Sequence, residues 1–278
     1  MACPTGIVDH VASPGRPLRP SSRILSGRMH AFLVCGAAFV AGAINSVAGG
    51  GSLVSFPTLI WLGVPSIPAN ATNTVALVPG SLASVLGYRR ELRGADTRVL
   101  ALAVPSFIGG IIGAVLLYQT PADLFDRLVP ILIFFATILF MAQEPIQRRF
   151  NLTAVHDARS HWLSWTMFFQ LLVGIYGGYF GAGIGILMLA AFSLMGHTDI
   201  HQMNGLKNIL AAIINGIAAA YFIWVGLVIW PDALVMAVGA TLGAVFGTGL
   251  ARRLGRTAVR RLVVAIGFAM ALSLMFKL

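Results

Sequence analysis

The amino-acid sequence predicts an all-α fold: a polytopic membrane helical bundle of two inverted five-segment repeats, with short or broken helices after glycine clusters. Three observations carry this reading. The chain is 58% hydrophobic and only 10% charged, with a mean hydropathy of +0.86, whereas a soluble domain carries roughly 25% charged residues. Its apolar residues gather into ten separate segments. Its arginines sit almost entirely in short links between those segments, at 16–28, 89–98, 148–159 and 252–261.

The segments run at about 30–48, 52–62, 68–88, 99–118, 124–142, 162–180, 184–195, 200–223, 231–250 and 258–276. Most approach the ~20 residues that a spanning helix needs. Two do not: "SLVSFPTLIWL" (52–62) and "IGILMLAAFSLM" (184–195) are too short to cross comfortably. Each follows a glycine cluster, Gly49-Gly50-Gly51 in one case and Gly181-Ala182-Gly183 in the other, and each precedes a polar turn and another long segment. Glycine runs break helices, so a five-segment pattern with an early break occurs twice.

Residue matches at an offset of about 133 support the repeat. Gly49 and Gly51 align with Gly183 and Gly185, and Asn70 aligns with Asn204. "GGIIGAV" (109–115) resembles "GATLGAV" (239–245), and "DRLVP" (126–130) resembles "RRLVV" (260–264). Two related halves are a common transporter plan. Charge then decides their orientation. "YRRELRGADTR" links the third and fourth segments, while its counterpart "WVGLVIWPD" has no basic residue. The next links reverse the pattern: "YQTPAD" has none and "ARRLGRTAVRR" has five arginines. Basic links mark the cytoplasmic side, so the halves are expected to insert with opposite orientation.

The domain plan that follows is a basic, disordered tail (1–29), a first membrane repeat (30–142), a cytoplasmic linker (143–161) and a second membrane repeat (162–278). The tail is rich in proline, serine and arginine and lacks the apolar stretch of a signal peptide. An inverted repeat places the N-terminus outside, which its four arginines oppose. Either Met29, directly before the first apolar run, is the natural start, or the short segments re-enter the membrane and change the count.

Composition also excludes. A net charge of +10 confined to links between spans points to membrane topology and not to nucleic acid. Cys3 and Cys35 form no disulfide framework. All nine acids lie in tails, links or segment ends, so paired catalytic carboxylates or an intramembrane carboxylate relay are unsupported. No GxxxxGK[ST] loop surrounds either lysine, Lys207 or Lys277. No enzyme chemistry, metal or cofactor is expected.

Candidate site residues come in two groups. The first is the pair of glycine breaks with their flanks: Asn45, Ser46, Gly49, Gly50, Gly51 and Ser52, and Gly181, Gly183 and Gly185. Unwound backbone at membrane depth is tolerated where it lines a cavity, and helices starting at Ser52 and Ile184 would point N–H groups into it. Close packing by small residues is the competing reading. The second group is two polar stripes: Asn70, Asn73 and Thr74, and Asn204, Lys207 and Asn208, at the same spacing on one helix face. These either link helices or share a substrate site. Lys207 has no acid within a helical turn, so it either meets an anionic partner or snorkels to the interface.

Other polar residues are less specific. Ser55, Gln170, Tyr176, Tyr179 and Asn215 line a cavity or link helices. "HTDIH" sets His197, Asp199 and His201 at spacings that suit a metal, although a polar turn at the membrane edge explains them equally well. The tryptophans at 61, 162, 165, 224 and 230 stand at segment ends, as an aromatic belt requires.

The stretch "AGAINSVAGGGSLVSFPTLIWLGVPSIPANATNTVALVPGSLASVLGYRRE" (41–91) resembles the first-half signature of the sulfite exporter TauE/SafE family. "GIYGGYFGAGIGILMLAAFSLMG" (174–196) is similar to its second-half signature, with a looser glycine run and a different turn, "GHTDIHQ". The resemblance covers about 30–278. It implies a multi-pass inner-membrane permease that moves sulfur-containing anions such as sulfite or organosulfonates. The expected partners are a small anion and the lipid bilayer, with no nucleic acid; a homo-oligomer is compatible with the sequence. An accessory or scaffold protein without transport of its own is the alternative, and it should close over packed glycines instead of enclosing a cavity.

Overall fold

The structure is a computed structural model, and it describes residues 27–47, 50–87, 101–150, 162–194, 200–254 and 256–275, with side chains left out at some helix ends. Residues 1–26 of the expected tail, Gly49, most of the basic links and the His197–Asp199 turn lie outside the described residues, as does the side chain of Asn204, whereas residues 27–29 of that tail already form the first turn of a helix.

Among the described residues, ten α-helices fall on the ten apolar segments: α1 Gly27–Val47, α2 Ser52–Trp61, α3 Ser66–Gly87, α4 Ala103–Gln119, α5 Ala122–Phe150, α6 Trp162–Tyr179, α7 Ile184–Leu194, α8 Ile200–Trp224, α9 Trp230–Leu254 and α10 Arg256–Met275. No strand occurs among the described residues. Three of the helices are long and apolar enough to cross a membrane by length and composition: Gly27–Ser46, Ala122–Ala142 and Gly205–Trp224. The helix α5 runs past the expected end of its apolar segment, through "QEPIQRRF", because a helix can continue into polar sequence once it leaves the apolar layer. The two short segments are helices of 10 and 11 residues. At 1.5 Å per residue they reach about half of a ~30 Å hydrocarbon core.

Polar and apolar residues are distributed as a bilayer demands. Outward stripes such as Ile131, Phe134, Phe135 and Ile138 on α5, and Leu234, Val238 and Leu242 on α9, expose large apolar side chains at helical spacing. Polar side chains are turned inward: Ser55, Asn70, Thr72, Asn73, Ser106, Thr137, Gln170 and Lys207 are all buried. Trp61, Trp165, Trp224 and Trp230 are exposed at helix ends, where amphipathic rings belong.

Helix packing repeats between the halves. The helix α1 lies along α9, and α6 lies along α4; α3 packs on α9 while α8 packs on α4. The short helix α2 contacts α1, α3 and α10, and α7 contacts α6, α8 and α5. Central contacts join α3 to α8 and α5 to α10. Glycines set the closest crossings. A Cβ on Gly239 or Gly243 would strike the carbonyls of Cys35 or Phe39, and one on Gly109 or Gly113 would strike those of Leu171 or Ile175. The reciprocal pairs are Gly42 against Ala240 and Gly178 against Gly110. The similar motifs at 109–115 and 239–245 are therefore two copies of one helix-crossing device.

Side-chain contacts also collect particular helix ends at one end of the bundle. His30 Nε2 lies 2.9 Å from Asp232 Oδ1, and the Ile229 N–H donates to Thr72 Oγ1 at 3.0 Å. The Ser66 hydroxyl donates to Asp126, and Asn70 Nδ2 donates to the Tyr179 carbonyl at 2.9 Å. Thr120 Oγ1 lies 3.3 Å from the Tyr179 hydroxyl, and the rings of Tyr118 and Tyr221 meet edge to face. At this end α1, α3, α5 and α9 begin, and α4, α6 and α8 finish.

Candidate functional site

The two glycine breaks meet at one cavity. Gly50 and Gly181 have φ of +91° and +80°, a left-handed backbone that glycine adopts without a Cβ penalty. That conformation reverses the chain between α1 and α2, and between α6 and α7. Both glycines border a space of about 430 Å³ including its open mouth, lined also by Asn45, Ser52, Ser81, Ser84, Ile184, Gly185, Lys207, Asn208, Ala211 and Asn215. The positions on α8 recur at one to two turns and share one helix face.

Lys207 is the unusual group. Its side chain is 1% exposed, and among the described residues Nζ has no hydrogen-bond partner; Asn208, 5% exposed, has an Nδ2 likewise unpartnered among them. Buried polar groups are nearly always satisfied, and an isolated buried ammonium is far more costly than an isolated amide. Two adjacent donors on one wall, with no acceptor answering them, are complementary to an anion. Among the described residues no carboxylate lines the cavity, and no cluster of metal-binding side chains occurs.

The helix starts contribute less than their position suggests. The Gly51 N–H donates to Asn45 Oδ1 at 2.7 Å. Leu53 and Val54 donate to the carbonyls of Gly50 and Gly51, and Ile186 and Leu187 donate to that of Gly183. These bonds occupy several of the terminal donors through which a helix dipole acts. The side chains carry the electrostatics.

The expected site residues separate accordingly. Asn45, Gly50, Ser52, Gly181, Gly185, Lys207 and Asn208 line the cavity. Gly51 is packed against the Ala41 carbonyl, Gly183 faces Ala136, and Ser46 Oγ donates to the Ala43 carbonyl. The first polar stripe is elsewhere: Asn73 accepts from Ser55 Oγ, Thr74 Oγ1 donates to the Asn70 carbonyl at 2.8 Å, and Asn70 holds Tyr179. Asn70 lies eleven residues before Ser81, or about 16 Å along α3 at 1.5 Å per residue. It belongs to the opposite end of the same helix face. Ser81 and Ser84 were not among the expected site residues, although 70, 74, 77, 81 and 84 follow a single helical stripe. Their hydroxyls donate back to Leu77 and Gly80 at 3.0 Å, a common habit of serine in apolar helices, which gives them no distinguishing signal.

An all-helical, outwardly apolar bundle around a buried, cation-bearing cavity defines a membrane protein of transporter type. The chain matches the sulfite exporter TauE/SafE family over residues 34–274 and belongs to that family. It is similar to the probable membrane transporter protein ORF9 of Sinorhizobium sp, 29% identical over 240 residues, covering 86% of this chain and 90% of the relative. A probable membrane transporter protein of Haemophilus influenzae is 28% identical over 251 residues, 88% of this chain and 94% of the relative. The probable membrane transporter protein YfcA of Escherichia coli (strain K12) is 29% identical over 240 residues, 86% of this chain and 87% of the relative. No solved structure matches the chain.

Proposed function

We propose that this chain is a multi-pass secondary permease of the inner membrane for a small anion, with sulfite-like oxyanions and organosulfonates as its substrate class. The observation that carries the reading is the pair of unpartnered buried donors, Lys207 Nζ and Asn208 Nδ2, on the wall of a cavity bordered by both glycine breaks. The family name supplies the sulfur chemistry. We read the chain as a carrier because it belongs to a transporter family and its relatives are named as membrane transporters.

In this reading the halves are an inverted repeat, supported by the packing exchange between them and by the helix ends that meet at one end of the bundle. The end with the bare links faces out, and the basic links are cytoplasmic. The cavity opens among residues late in α3 and early in α8, near the cytoplasmic end. Its outward path is sealed by the Ser55–Asn73 and Asn70–Tyr179 contacts. Alternating access exchanges the two arrangements, so the first polar stripe takes its turn at a cavity in the outward-facing state.

The test is flux of labelled sulfite, methanesulfonate and acetate in proteoliposomes, with Lys207→Ala and Gly50→Leu alongside. Sulfur anions should move and acetate should lag. Lys207→Ala should lose at least about tenfold in transport, equivalent to about 1.4 kcal/mol. Absence of flux for every anion, or full flux in both variants, rejects the reading. A scaffold without transport would give the first of these outcomes.

A further inference from the structure

We infer that the cavity is a site for singly charged oxyanions, with Lys207 setting the charge that it accepts; this deepens the proposed anion transport and rests on it. Among the described lining residues Lys207 is the only one with a formal charge, and it is buried. The other polar lining is neutral. The hydroxyls of Ser81 and Ser84 donate to the carbonyls of Leu77 and Gly80, so these donors are engaged within their own helix. Asn45 has its carbonyl engaged by Gly51. The starts of α2 and α7 have several of their N–H groups satisfied internally, which weakens the other usual source of positive potential.

Charge matching follows. One ammonium with three donors, beside the Asn208 amide, neutralises one negative charge and hydrogen-bonds two or three oxygens. A second negative charge would enter a low-dielectric space with no second cation among the described lining residues to answer it. Uncompensated buried charge is the costliest arrangement available. The site therefore selects hydrogensulfite and simple sulfonates over sulfate and over sulfonates that carry a second acid group.

Methanesulfonate and sulfate test this cleanly, since they have nearly the same tetrahedral shape and differ by one charge. Uptake of each, and competition between them, is measured with the full-length wild-type chain in proteoliposomes. Methanesulfonate should be preferred by at least about tenfold, the ratio that corresponds to 1.4 kcal/mol. Equal transport, or preference for sulfate, overturns the inference and leaves anion transport standing. No transport of either, with none of sulfite, sinks the transport reading and this inference with it. Two variants localise the effect. Lys207→Gln should lose the preference, and a preference retained there overturns the assignment to Lys207. Asn208→Lys adds a second charge on the same wall and should raise sulfate transport relative to methanesulfonate. A ratio unchanged in folded Asn208→Lys protein, checked by size-exclusion profile, also counts against charge matching. The wild-type comparison decides the question even if both variants fail to fold.

Discussion

Gly50 and Gly63 share a backbone conformation, with φ of +91° and +93°, but not surroundings. A side chain at either position carries the left-handed cost of about 1–2 kcal/mol. A Cβ on Gly63 meets open space, whereas one on Gly50 lies 3.0 Å from the Phe140 ring and borders the cavity. Gly63→Ala should thus lose some stability and keep normal flux per folded molecule. Gly50→Ala should lose more stability and severalfold in flux. Thermal midpoints and proteoliposome uptake measure the two effects separately, and equal flux in both variants removes Gly50 from the transport path. At this scale the sequence was most legible where chemistry clashes with context: a lysine or a glycine run within apolar sequence stands out by itself. The fate of Asn73 was not legible, because its partner Ser55 stands on another helix. Asn73 and Lys207 share a place in their stripes, yet one is satisfied and the other is not.

At the scale of elements, ten local apolar runs became ten helices because hydropathy and length are local properties. Which helix lies against which is decided by contacts remote in sequence, so the pairing of α1 with α9 and of α4 with α6 was hidden. The similarity of "GGIIGAV" and "GATLGAV" was visible, but its meaning as a crossing device was not. That device makes a prediction. A Cβ on Gly113 would meet the Ile175 carbonyl and the Tyr179 N–H, both backbone atoms that cannot yield without parting the helices. Overpacking of this kind costs typically about 1–3 kcal/mol, occasionally more. Gly216 on α8 has nothing within 4 Å of a new Cβ, and there alanine gains helix propensity of up to ~1 kcal/mol. Gly113→Ala should lower the thermal midpoint of the detergent-solubilised protein, and Gly216→Ala should hold or raise it. If the two variants melt alike, α4 and α6 are not in the close contact described.

For the whole molecule, the arrangement of helix ends and the distribution of arginine bear independently on the same topology. Hydrogen bonds gather the starts of α1, α3, α5 and α9 with the finishes of α4, α6 and α8. The short connections at that end, 62–65, 120–121 and 225–229, contain no arginine or lysine. The opposite helix ends flank "YRRELRGADTR", the 151–161 link and the arginines of 252–261. Packing knows nothing of membrane insertion, and the positive-inside rule knows nothing of packing; the connections agree, while Arg28 at the start of α1 and Arg127 in the second turn of α5 stand against them. The helix arrangement also assigns the short helices. The helix α2 returns toward the end where α1 began, as α7 returns toward the start of α6, so each pair forms a hairpin, an arrangement compatible with the proposed inverted insertion. Single cysteines in a Cys3→Ser, Cys35→Ser background test this with a membrane-impermeant thiol reagent on intact cells. Arg90→Cys and Arg256→Cys should be protected until the membrane is opened, and Gly63→Cys, Thr120→Cys and Gly226→Cys should label from outside. Labelling of Arg90→Cys and Arg256→Cys from opposite sides would refute the inversion. Uniform labelling of all five from outside would refute the assignment of the arginine-rich end to the cytoplasm.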